Sequence, residues 1–76
     1  MELYKGFFIS GTAMMVHPFR LESYPAGAVY EQARGSSIVE VTRFELPSFT
    51  MENKDLAEYF GLELAMMVVD HCLIEQ

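Results

Sequence analysis

The pattern of apolar and polar residues divides the chain into a strand-forming N-terminal part and a helical C-terminal part. The run from Tyr4 to Val16 is rich in aromatic and β-branched residues and has no helical period. Leu3, Phe7 and Ile9 fall on one face of a strand in this region. We expect either one long strand bent at Gly11-Thr12 or a hairpin that turns there, and we favour the bent strand.

Two further strands are predicted beyond a loop from Pro18 to Tyr24. This loop leads into Tyr24-Pro25-Ala26-Gly27, where proline and glycine have the positions that a β-turn prefers. The predicted strands cover Ala28 to Ala33 and Ser37 to Leu46, and a tight hairpin at Arg34-Gly35-Ser36 joins them. The pattern therefore predicts an antiparallel meander of three strands.

The period changes to that of a helix after Phe49. Thr50 and Asn53 both suit the N-cap position, and the helix is expected from about Lys54 to about Leu73. The sequence thus predicts an α+β fold. We expect a single β-β-β-α domain over residues 1–76, with the C-terminal helix packed on one face of the sheet.

The predicted helix is apolar around most of its circumference. On a helical wheel, one apolar group is assigned to the sheet: Ala57, Phe60, Gly61, Leu64 and Val68. A second group lies on another side: Leu62, Met66, Val69 and Leu73. Three strands cover only one side of a helix, so the second group would form an exposed apolar patch on a monomer. We therefore predict a homodimer that associates through this second group, and the alternative is that the loop from Pro18 to Tyr24 covers it.

Three small residues on the same helix, Ala57, Gly61 and Ala65, are spaced by four. They form a ridge that permits close approach of whatever packs there. A special helix–helix motif and ordinary helix-on-sheet packing would both use such a ridge. We favour ordinary packing on the sheet.

The composition indicates a small protein of a reducing compartment. A chain of 76 residues has room for one core, and its 51% apolar content is incompatible with disorder. The single cysteine, Cys72, cannot form an internal disulfide, so we expect a cytoplasmic location. The first five residues lack the basic segment of a signal peptide, and no apolar stretch has the roughly 18 residues of a membrane span.

The net charge of −6 argues against nucleic-acid partners. Phosphate backbones are bound by grouped cationic side chains. The five cations of this chain are scattered along it: Lys5, Arg20, Arg34, Arg43 and Lys54.

No group of residues has the spacing of a catalytic or metal site. His71 and Cys72 are adjacent on the predicted helix, so their side chains point about 100° apart and cannot ligate one ion. Two histidines and one cysteine are also too few for a structural zinc site, which takes four ligands. We therefore predict no cofactor, no metal and no enzymatic activity, with Cys72 as a small core residue.

Several sequence patterns of low specificity are spread over nearly the whole chain. They are Tyr4-Lys5-Gly6-Phe7, Pro25-x-Gly27-x-Val29-Tyr30, and Phe49-Thr50 leading into Ala57, Gly61, Ala65 and Val69-Asp70. In these positions the chain resembles short bacterial β-β-β-α proteins catalogued as domains of unknown function. The resemblance implies three strands and a bacterial source, and it carries over no functional residues. The order of strands and a helix introduced by a threonine is also similar to that of HicB-type antitoxins, whose DNA-binding extension this sequence lacks.

Three functional hypotheses follow. The leading one is a non-enzymatic bacterial protein that homodimerises and also binds another protein. The second is an antitoxin-like or regulatory protein whose acidic surface docks on a basic partner. The third is a small-ligand binder with an aromatic pocket formed by Phe7, Phe44 and Phe60.

Overall fold

Four strands and one helix make up the fold in the computed structural model, which describes residues 1–18 and 20–74. The antiparallel sheet has the order β1 (Glu2–Tyr4), β2 (Phe7–Met15), β3 (Ser23–Gln32) and β4 (Ile38–Glu45). Helix α1 (Lys54–Val68) continues into a π-helical turn (Val69–Leu73) and packs on the sheet. The α+β class is confirmed, but the prediction of three strands is wrong because the sheet has four.

The additional strand is created by a tight turn at Lys5-Gly6. Tyr4 pairs with Phe7 across this turn, and the two central residues have φ values of 50° and 90°. Positive φ at both positions is what a type I′ hairpin turn requires. The alternative of a hairpin at Gly11-Thr12 is wrong, and the favoured strand that continues through both residues is confirmed, since β2 pairs with β3 without interruption there.

The β-turn predicted at Tyr24-Pro25-Ala26-Gly27 is also wrong, because these residues lie inside β3. The hydrogen bond from the Leu46 N–H to β3 uses the Pro25 carbonyl, at 2.9 Å, which a proline retains. Gly27 is required for space, since a Cβ there would lie 2.6 Å from the Phe44 ring and 2.8 Å from the Gly61 carbonyl oxygen. The loop before β3 is shorter than predicted as a result.

Strands β3 and β4 form the predicted hairpin. The Ala33 N–H donates to the Ser37 carbonyl at 2.8 Å, and Gly35 adopts a φ of 73° in the turn. The register shifts once along this pair: Val29 lies opposite Thr42, whereas Tyr30 lies opposite Glu40. Val41 is therefore the extra residue of a β-bulge in β4.

Both ends of the helix have an identifiable cause. Of the two N-cap candidates the structure uses Asn53, whose side chain accepts a hydrogen bond from the Leu56 N–H at 2.9 Å. At the other end, the Ile74 N–H donates to the Val69 carbonyl at 2.9 Å, which closes a π-helical turn. The helical region thus reaches Leu73 as predicted, although its last turn is wider than that of an α-helix.

The core lies between α1 and the two central strands. Its fully buried residues are Ile9 and Val29 from the sheet and Ala65 and Val69 from the helical region. Ala57, Gly61 and Ala65 are buried along α1, which confirms that the small-residue ridge packs on the sheet.

Glycines bring the helix backbone against the strand backbones. A Cβ on Gly61 would overlap the carbonyl oxygen of Ala26, and a Cβ on Gly11 would overlap that of Glu58. Since these obstructing atoms belong to the backbone, no side-chain rotation could make room for a larger residue.

We predict that Gly61→Ala destabilises the protein. In an exposed helix this substitution gains about 1 kcal/mol, but here the added methyl group meets the Ala26 backbone. The free energy of unfolding, measured by chemical denaturation, should fall by about 1–3 kcal/mol. Glu58→Ala, at an exposed position of the same helix, is the control and should change it by less than about 0.5 kcal/mol. A G61A protein as stable as the wild type would contradict this packing.

Candidate functional site: the apolar surface beside β4

Helix α1 covers the two central strands of the sheet. It packs on β2 and β3, whose glycines admit its backbone, and it leaves β4 at the open edge of the sheet. Phe44 of β4 lies opposite Gly27 and points to the helix side, since its ring borders the space between Gly27 and Gly61. A groove therefore runs between α1 and β4.

Two adjoining cavities form this groove. The first has a volume of about 220 Å³, and its lining is entirely apolar: Pro25, Leu46, Phe49, Met51, Phe60 and Leu64. The second has a volume of about 420 Å³ and shares Leu46 and Leu64 with the first; its other lining residues are Phe44, Met67, Val68, His71 and Cys72. We call the residues that line the two cavities the β4-side surface.

Large side chains of the β4-side surface are open to solvent. Phe49 is 63% exposed, Met67 is 53% exposed and Phe60 is 42% exposed. Isolated exposed apolar residues are ordinary, but a contiguous group of them marks an interaction surface. This group extends from the loop after β4 to the π-helical turn.

The structure places the predicted self-association residues elsewhere. Val69 is fully buried in the core of the chain, and Leu62, Met66 and Leu73 are partly buried against that core. Conversely, Phe60, which the helical wheel assigns to the sheet, is 42% exposed. The reason is that the small residues Ala57, Gly61 and Ala65 set the contact line with the sheet, so the large residues lie on its two flanks.

The opposite flank of α1 is acidic. An open cleft of about 340 Å³ lies between this flank and strands β1 and β2. The acidic residues Glu2, Asp55 and Glu58 are among those that line it, together with Tyr59. The helix thus separates an apolar surface from an acidic one.

A polar cluster ties the first hairpin to the π-helical turn. The Tyr4 hydroxyl donates to Asp70 at 2.8 Å, and the Lys5 ammonium lies 2.8 Å from the same carboxylate. Hydrogen bonds from Lys5 and then from Tyr4 lower the pKa of Asp70. The bond to Asp70 raises the pKa of both Tyr4 and Lys5. The cluster holds the Asp70 carboxylate in place, and because Tyr4 and Lys5 stay protonated near neutral pH, neither is available as a general base.

His71 and Cys72 lie at the end of the β4-side surface, where Cys72 is exposed rather than part of the core. Within residues 1–18 and 20–74, no group of three or more His, Cys, Asp or Glu side chains could hold a metal ion. The predicted aromatic pocket is divided: Phe44 and Phe60 line the β4-side surface, whereas Phe7 packs against the core.

Three residues of the β4-side surface have no functional role in the sequence interpretation. Leu46, Phe49 and Met51 lie where the pattern shows only the end of a strand and a loop. Met51 is held there by a pair of backbone hydrogen bonds with Ser23, at 2.7 and 2.8 Å. Such a contact between residues distant in the chain leaves no local signal.

Comparison with protein-family models, with curated proteins and with solved structures gave no match. The resemblance to short bacterial β-β-β-α proteins therefore stays a prediction. No helix of the described residues is long and apolar enough to cross a membrane.

We predict that Asp70→Asn lowers the thermal midpoint by a few degrees at neutral pH, because the amide cannot replace the carboxylate facing Lys5. A carboxylate with a lowered pKa stabilises the fold above its ordinary pKa, about 3.9, and loses this effect as the pH falls through the lowered value. The difference between wild type and variant should therefore close in acid.

Thermal denaturation followed by circular dichroism over a pH series measures this difference. Glu31→Gln is the control, since it makes the same change from carboxylate to amide at an exposed strand position away from the helix ends. A difference for D70N that persists unchanged well below the ordinary carboxyl pKa would show that charge has no part in the tie.

Proposed function

We propose that the protein is a small non-enzymatic protein that self-associates through the β4-side surface. One observation carries this proposal: an apolar groove whose large side chains are 42–63% exposed runs beside the open edge strand of the sheet. A surface of this kind is suited to another protein surface, because it offers shape and apolar area but few polar groups to orient a substrate.

The size of the monomer's own core supports association. Among residues 1–18 and 20–74, the largest fully buried side chains are Ile9, Pro25, Val29 and Val69. Burying a large apolar side chain contributes about 1.5–3 kcal/mol. Covering the exposed parts of Phe49, Phe60 and Met67 would therefore add several kcal/mol, which is comparable to the whole stability of a small domain.

The wider setting is part of the same proposal. A lone cysteine that is exposed on an apolar surface suits a reducing compartment, and we place the protein in the bacterial cytoplasm. In the cytoplasm, a different protein with a similar apolar surface would compete with the second copy for the β4-side surface.

Sedimentation velocity over a micromolar concentration series tests self-association. We expect a dimer whose dissociation constant rises at least tenfold in Phe60→Asp, since a carboxylate would be buried in the apolar interface. Tyr59→Asp is the matched control: Tyr59 is the adjacent aromatic residue, is 54% exposed, and lines the acidic cleft instead. A wild-type monomer throughout the series, or equal effects of F60D and Y59D, would contradict the proposal.

A second candidate function uses the acidic cleft. Its three carboxylates, together with the net charge of −6, favour a regulatory protein that docks on a basic partner. This proposal keeps the antitoxin-like hypothesis but places its contact on the β1–β2 side of α1.

A lysine- and arginine-rich peptide tests the second candidate. Binding measured by calorimetry should weaken steeply with salt, and Glu58→Gln should weaken it several-fold more than Glu31→Gln. Both are exposed glutamates and the two variants lose equal charge, but only Glu58 lines the cleft. Equal losses in the two variants would indicate diffuse attraction and would exclude the cleft as a site.

A further inference from the structure

The longest uninterrupted segment of the free edge of β4 lies after the bulge. Val41 forms the β-bulge on one side of it, and Pro47, which has no backbone N–H, follows it on the other. The five residues from Thr42 to Leu46 lie between these two interruptions, and Phe44 is their midpoint.

We propose that two copies of the chain pair antiparallel along this segment, with Phe44 of each copy at the twofold axis. The proposal rests on self-association through the β4-side surface and specifies its partner and register. The product is a continuous eight-stranded sheet with both helices on the same face.

The backbone of β4 has the alternation that this pairing needs. The Leu46 N–H points inward, to Pro25 of β3. Because successive residues of an antiparallel strand direct their backbone groups to opposite edges, those of Arg43 and Glu45 point to the free edge. Centring the pair on Phe44 brings Arg43 opposite Glu45 of the second copy, where the two residues can exchange both backbone hydrogen bonds.

The side chains fit the same register. Arg43 and Glu45 lie on the face of the sheet that α1 does not cover, so each meets the opposite charge of the second copy. Within one chain, Arg43 contacts Glu40 at 2.7 Å and Glu45 accepts from the Tyr24 hydroxyl at 3.2 Å. Both contacts lie at the protein surface, where such contacts contribute little to stability. They therefore only weakly oppose the pairing of Arg43 and Glu45 with the second copy.

Neighbouring registers are disfavoured. Centring on Arg43 would place two arginines opposite each other, and centring on Thr42 would put the bulge at Val41 inside the paired segment. The occupant is a second copy because one positive and one negative residue flank Phe44 symmetrically. A strand with this arrangement is complementary to itself in antiparallel pairing.

Charge reversal tests the register. Arg43→Glu should raise the dimer dissociation constant about tenfold, since it places two carboxylates opposite each other at two symmetric positions. Adding Glu45→Arg exchanges the charges and should restore the constant to within about threefold of the wild type. Arg20→Glu, which makes the same change of net charge at an exposed loop position, should have little effect.

The outcomes separate the two proposals. A wild-type protein that stays monomeric would overturn both. A wild-type dimer in which R43E weakens association no more than R20E, or in which R43E/E45R fails to restore it, would overturn the β4 pairing alone. Restoration by E40R in place of E45R would likewise overturn the Phe44-centred register. Circular dichroism confirms that each variant is folded, which is expected because all these positions are exposed.

Discussion

The contact between the backbone of α1 and the backbones of β2 and β3 determines the rest of the structure. It exists because Gly11, Gly27 and Gly61 have no side chains at the points where helix and strands meet. Close approach at these points brings Ala65 and Val69 onto Ile9 and Val29. The small residues therefore form the line of contact, and the larger residues of the helix are displaced to its flanks.

This narrow contact makes the two flanks of the helix different. Toward β1 and β2 the flank carries carboxylates and Tyr59, whereas toward β4 it carries Phe60, Leu64 and Met67. A helix centred on β2 and β3 leaves β4 and its neighbours without a cover from the same chain. The proposed functions follow from this asymmetry.

Local sequence signals predicted the class of fold and most of its element boundaries. The helix and its N-cap, the hairpin at Gly35 and the core of β4 are all marked by short-range patterns. The first turn was missed because only one of its two residues is a glycine. The segment at Pro25 was predicted as a turn because proline and glycine are common in turns. In the structure they lie in a strand, where Pro25 keeps its carbonyl acceptor and Gly27 leaves space for the Phe44 ring.

The candidate site was less predictable because it depends on which face of the helix meets the sheet. The helical wheel assigned Phe60, Gly61 and Leu64 alike to the sheet. Packing distance keeps Gly61 in the contact and leaves the two larger residues on its flank. A helical wheel ranks residues by polarity, and it contains no measure of how closely two backbones can approach.

The π-helical turn (Val69–Leu73) sets the spacing of the apolar residues with which the helical region ends. An α-helical ending would carry one apolar residue per turn back over Val69, whereas the wider turn lets two consecutive ones, Leu73 and Ile74, reach the same core. His71 and Cys72, which lie between Val69 and Leu73, are exposed to solvent. The core therefore constrains the number of residues between Val69 and Leu73. It constrains the chemical nature of the exposed residues among them much less.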